Sequence, residues 1–195
     1  MNQHLTPRWQ MTAGLLLIVL LTLLRQLLEA RMLSHMLLQF PLLLLAGALL
    51  VPALPNRLGG RLGRYNQIGI TGLTLAAGVS SLWMIPRLLD LVVASTAVDA
   101  AKFASLILTG FALRLSWPLA VRTMQAFFLI GWAMMSATVG LLYQDAPVRL
   151  CNSYLGAEQT QVGSGLIVLS AALVICWFGL LLGEQPTTRP AQRLH

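Results

Sequence analysis

The sequence predicts an all-α fold, a polytopic transmembrane bundle of about six helices with both termini inside, and three observations predict it. The chain is 57% hydrophobic and only 10% charged, and its mean hydropathy of +0.76 lies well above that of a soluble domain. Its apolar residues fall into six runs, and six spans of roughly 20 residues with short loops account for all 195 positions. The net charge of +7 sits almost entirely in alternate loops, as the positive-inside rule requires of a multi-pass chain. Residues 1–195 therefore read as a single integral membrane domain, with 184–195 as a short cytoplasmic tail.

The first segment runs from Met11 to Leu28. Arg8 precedes it as in a secretory signal, but Arg25-Gln26-Leu27-Leu28-Glu29 offers no small-residue cleavage pattern, so it reads as an uncleaved helix. The second, Leu33 to Leu54, carries Pro41 well inside, and a proline without its N–H predicts a kink there. In the third, Gln67 to Ile85, the residues Gly72, Ala76 and Ser80 recur every fourth position, a small-residue stripe that lets another helix approach. The fourth, Val98 to Arg114, begins with Asp99 and Lys102; it is long enough to span if Lys102 snorkels outward and pairs with Asp99. Ala120 to Tyr143 and Gln161 to Gly183 complete the set. Trp83 and Trp117 fall at opposite predicted interfaces, where amphipathic rings are preferred.

Orientation follows from the loops. Arg8, Arg57, Arg61, Arg64, Arg114, Arg122, Arg189 and Arg193 share one side with Glu184 alone, which gives that side the whole +7. On the other side Arg25, Arg31, Arg87, Lys102 and Arg149 balance Glu29, Asp90, Asp99, Asp145 and Glu158. The arginine-rich side is therefore cytoplasmic, and short loops of this kind suit a bacterial plasma (inner) membrane. The arginines are dispersed at segment ends and are not gathered with aromatics on one face, which argues against nucleic-acid binding.

Chemistry concentrates on the outer face. His35 lies one helical turn from Met32 and beside Met36, and an imidazole with thioethers suits Cu(I), although methionines also pack ordinary interiors. Asp99 and Lys102 read either as a proton or ligand site or as an interfacial ion pair. Glu158 and Gln159 open the sixth segment, as oxygen ligands or as the polar start of a helix. Cys151 in the outer loop and Cys176 deep in the last segment lie at depths that argue against a mutual disulfide, and they match no zinc spacing. There is no nucleophile-and-base set, and Gly59-Gly60-Arg61-Leu62-Gly63 reads as a cytoplasmic turn. The chain reads as no enzyme. Transport would require a polar path at mid-membrane, where the sequence offers little beyond small hydroxyls.

The run Met32-Leu33-Ser34-His35-Met36-Leu37-Leu38 with Pro41 resembles the His-rich helix start of the CtaG family of cytochrome c oxidase assembly factors. Trp83-Met84-Ile85-Pro86, Leu89-Asp90, Val98 to Ser105, Gly110 and Trp117-Pro118 are similar to the next block of that family, and Glu158-Gln159 with Gly163 and Gly165 to the start of a late helix. The likeness covers roughly 31 to 118 and 143 to 183. It implies a role in assembly or copper maturation of a respiratory oxidase, with copper as cofactor. The implied partners are the lipid bilayer, an oxidase or other membrane-complex subunit, and a periplasmic copper carrier. The chain departs from the family where Arg31, Met84, Asp99 and Phe103 stand at histidine positions and Lys102 at an acidic one. The expected site is then a Cu(I) set of His35, Met36 and Met84, with Arg31, Asp99, Lys102, Glu158 and Gln159 as further outer-face polar residues. The rival expectation is an accessory transmembrane subunit that has lost the metal site.

Overall fold

A computed structural model of the chain describes residues 6–53, 64–146, 150–151, 154 and 156–183. The Gly59–Gly63 turn, Arg149 and the 184–195 tail lie outside them. The described residues form helices and no strand. Helix α1 (Thr6–Leu23) leads into α2 (Arg25–Glu29), and a widened π turn (Ser34–Gln39) leads into α3 (Phe40–Leu49). Then follow α4 (Ile70–Trp83), α5 (Pro86–Ala94), α6 (Thr96–Ser116), α7 (Arg122–Asp145) and α8 (Gly156–Gly183).

Three of these helical stretches are long and apolar enough to cross a membrane: Thr96–Leu119, Arg122–Asp145 and Gly156–Gly183. The pair α4 and α5, bent by 75° at a short break, raises the number to four if it counts as one span. Six spans were expected, and the shortfall has a local cause. Regular helix geometry lapses at Leu24, although its N–H still bonds the Leu20 carbonyl, and the second segment passes into the π turn at Ser34 and ends at Leu49, so Arg8–Leu23 and Ser34–Leu49 each stay under 18 residues. A kink was expected at Pro41; the structure places a π turn, Ser34–Gln39, just ahead of that proline, which lacks the N–H a regular helix would use. Helix α5 fills part of the stretch between the third and fourth apolar runs. Pro86 starts it, and it lays Leu89 and Val92 inward while Arg87 and Leu91 face out.

Close backbone contacts hold the helices together. A Cβ on Gly47 would collide with the Ile107 carbonyl, and one on Gly110 with that of Leu44, so α3 and α6 cross with nothing but hydrogen between them. Gly140 and Gly163 play the same part for α7 and α8. Gly72 meets Ser116 and Ala112 of α6, whereas Ala76 and Ser80, further along the same stripe, line a cavity. Gly69 adopts a φ of 76° under the Ser116 carbonyl, a conformation and a clearance that only glycine combines. Elsewhere the apolar side chains point outward: Leu16, Leu27, Phe127, Val168 and Leu182 are all exposed. Only 11% of the most apolar window of α8 is buried, so the helix presents most of its surface to lipid or to another protein.

Candidate functional site

The antiparallel course of α1 and α6 brings the end of the first to the start of the second, and there the chain gathers four charges, of which Asp99 and Lys102 are buried and Arg25 and Glu29 partly so. Arg25 NH1 donates to Asp99 Oδ2 at 2.8 Å. The Lys102 side chain is completely buried, and its Nζ donates to Glu29 Oε1 at 2.6 Å, to Gln39 Oε1 at 3.0 Å and to His35 Nε2 at 3.1 Å. Those three bonds use all the ammonium hydrogens, so Asp99 Oδ1, 2.9 Å away, is held by charge without a hydrogen bond of its own. Two cations and two carboxylates leave the group neutral, which is what makes its burial tolerable.

Hydrogen-bond accounting fixes the imidazole. Because Nε2 accepts from Lys102, Nδ1 carries the proton and donates to Tyr154 Oη at 2.7 Å. That hydroxyl in turn donates to the Glu29 carbonyl at 3.0 Å. Phe40 meets the imidazole edge-on at 5.4 Å. Tyr154 lies in the loop before α8, where burial, followed by the Glu29 carboxylate, raises its phenol above the ordinary range. Beside it, burial pushes the Cys151 thiol up to about 11. Both Cys151 and Cys176 are free thiols.

The structure gathers some expected site residues and separates others. His35, Asp99 and Lys102 meet directly. Glu158 Oε2 accepts from the Met32 amide at 3.2 Å and ties α8 to the same end. Gln159 bridges the Leu150 amide and the Tyr143 carbonyl, a structural strap for the loop. Arg31 is exposed, while Met36 and Met84 are buried in the apolar core. Lys102 pairs with Asp99 as expected but does not snorkel outward, being 0% exposed. Trp83 is no interfacial anchor either: it is buried, and its Nε1 donates to Ser105 Oγ at 2.9 Å.

Four members of the cluster escaped the sequence reading as site residues. Arg25 and Glu29 entered only as loop charges. Gln39 follows His35 by four residues, and that helical spacing is a usable signal. Tyr154 sits in an irregular loop, where no periodicity could find it.

The donors do not fit a copper ion. Cu(I) needs an unprotonated ring nitrogen with its lone pair open, yet here one nitrogen carries a proton and the other accepts from an ammonium. Among the described residues no group of three or more His, Cys, Asp or Glu side chains is placed to hold a metal. Set against family models, characterised proteins and solved structures, the chain matches none of them.

Proposed function

We propose that the chain is a CtaG-like, non-catalytic protein of the bacterial plasma membrane that assists assembly of a respiratory oxidase, with the end around His35 as its docking platform. In this reading the molecule has six membrane passes. The short Arg8–Leu23 and Ser34–Leu49 helices are carried across by their extensions, since Leu24 continues the helical bonding through Leu24 N to Leu20 O at 2.9 Å. Both termini are cytoplasmic. The observation that carries the reading is the Lys102 ammonium, wholly buried and bonded to His35 Nε2. A fixed cation in that place repels a metal ion and turns a site of metal-handling type into a rigid protein lock. Copper delivery, if the complex performs it, then belongs to a periplasmic carrier brought to the oxidase by this scaffold.

A second reading, a permanent accessory subunit of a respiratory complex, is favoured by the outward apolar face of α8, which a neighbouring subunit would cover. Isolation of the tagged chain in mild detergent separates the two. An assembly factor recovers immature oxidase and releases it once mature, whereas a subunit stays at fixed stoichiometry. Recovery of no oxidase component from oxidase-expressing cells overturns both. Copper is assayed in the same preparations, and stoichiometric copper that disappears in His35→Ala would overturn the metal-free lock.

A further inference from the structure

The chain treats its membrane-level cations in two ways. Arg25 and Lys102 each lie against a carboxylate. Arg114, at the other end of α6, does not: NH1 donates to the Ala48 carbonyl at 2.8 Å and NH2 to Gln10 Oε1 at 2.7 Å, both neutral acceptors. Among the described residues no carboxylate lies within ion-pair distance of it. These two bonds orient the guanidinium and leave N–H donors over. A half-buried charge with no counter-charge among the described residues, at the end of an apolar span, attracts an anion.

Arg114 also lines a cavity of about 790 Å³, within the range of roughly 300–1,000 Å³ typical of small-molecule sites. The cavity lies between α3, α4 and α6 on one side and the α7–α8 pair on the other, with the small residues Ala76 and Ser80 on its wall. Its walls are almost wholly apolar, with Leu44, Ala76, Trp132 and Leu169 among them, and it extends from Pro41 and Thr109 to Arg114 and Trp117. A free anion would find Arg114 but gain nothing from those walls, and a plain hydrocarbon would leave the arginine unmatched. An amphiphile with an acidic head satisfies both. We propose that this cavity binds one anionic phospholipid, its phosphate paired with Arg114 at the level of Trp117 and an acyl chain lying in the gap between the two groups of helices. The inference needs the chain to be embedded in a membrane and is independent of any role with an oxidase.

Native mass spectrometry of the full chain in detergent tests it, with phosphatidylglycerol and phosphatidylcholine of matched acyl chains as probes. The wild type should retain one phosphatidylglycerol in preference to phosphatidylcholine by about fivefold, the scale of one cationic side chain at an anionic surface. Arg114→Gln should equalise the two lipids, and Arg114→Lys should keep the preference. Ala76→Phe fills the cavity and should lower retention of both; if that variant does not fold, Leu169→Phe approaches the same space from α8. Inorganic phosphate should not displace the lipid. Equal retention by the wild type, a preference that survives Arg114→Gln, retention unchanged by cavity filling, or displacement by phosphate alone would each overturn the proposal.

Discussion

The two ends of α6 hold charge in opposite ways. At its start Asp99 and Lys102 close a neutral quartet with Arg25 and Glu29, in which Lys102 is wholly buried and Arg25 is partly exposed. At its end Arg114, among the described residues, donates to two neutral oxygens and lines an apolar cavity. The first arrangement is an internal lock, and its cost in dehydration is met by neighbours in the same chain. In the second, no carboxylate among the described residues supplies the counter-charge. Charged residues in one membrane helix therefore carry different meanings, and burial alone does not tell them apart. What separates them is whether a carboxylate from another helix completes the set.

The largest effect should come from Lys102→Met, which keeps most of the volume and removes the ammonium. Glu29 and Asp99 would then face each other without their shared cation, and breaking a buried pair in this way costs about 3–5 kcal/mol. Thermal unfolding in detergent should show a correspondingly lowered midpoint, and adding Glu29→Gln should recover part of it by removing the stranded charge. A Lys102→Met protein as stable as wild type would mean that the quartet is no lock, and the contrast between the ends of α6 would vanish.

Between those ends the glycine crossing sets the spacing of α3 and α6. Gly110→Ala or Gly47→Ala places a methyl against a backbone carbonyl that cannot rotate away, and overpacking of this kind costs roughly 1–3 kcal/mol. The same unfolding assay should register it. A neutral outcome would show that the two helices can separate without disturbing the quartet.

How much of this was legible in the sequence depended on the range of the interaction. Hydrophobic run length pointed to helix in each of the six regions, although only three, or four with the bent pair, are long and apolar enough to cross a membrane, and loop charge grouped Arg25, Glu29, Asp99 and Lys102, which the structure brings together. The interruptions were less visible, because neither Leu24 nor the Ser34–Gln39 turn contains a glycine or proline, and Pro41 lies just beyond the turn. Of the polar cluster, His35, Asp99 and Lys102 stood out as costly groups at membrane depth. Their grouping depends on the crossing of α1, α3 and α6, so neither the Lys102–Glu29 pair, 73 positions apart, nor the Tyr154 hydrogen bond had a local signature. The small-residue stripe of α4 was readable, but whether it would seat a helix or leave a cavity was decided by what stood opposite it.

Arg114→Gln should change stability far less than Lys102→Met, by under about 1 kcal/mol in lipid-free detergent, because Gln can keep a neutral hydrogen bond and no ion pair is lost. The difference should appear on adding phosphatidylglycerol, which raises the unfolding midpoint of the wild type and leaves that of Arg114→Gln where phosphatidylcholine leaves it. If Arg114→Gln proves as damaging as Lys102→Met without lipid, the arginine is a second internal lock and the cavity has no special claim on an anion.

The smallest effect concerns Cys151, and it bears on which compartment each end occupies. With its thiol held near 11 by burial, Cys151 should carry about a hundredfold less thiolate at pH 8 than an ordinary exposed cysteine. Its raised value favours the neutral thiol, so the side chain should remain slow to react until the pH approaches 11, and a membrane-impermeant maleimide should leave it nearly unlabelled in intact cells. Against that quiet background, reporters at Arg61→Cys and Glu158→Cys can be read directly: only the second should react from outside, with the first requiring permeabilised cells. Rapid labelling of Cys151 at pH 8 would show that the loop beside Tyr154 opens to water. Labelling of both reporters from the same side would place the quartet and Arg114 in one compartment, and their opposite treatment of charge could then not follow from membrane sidedness.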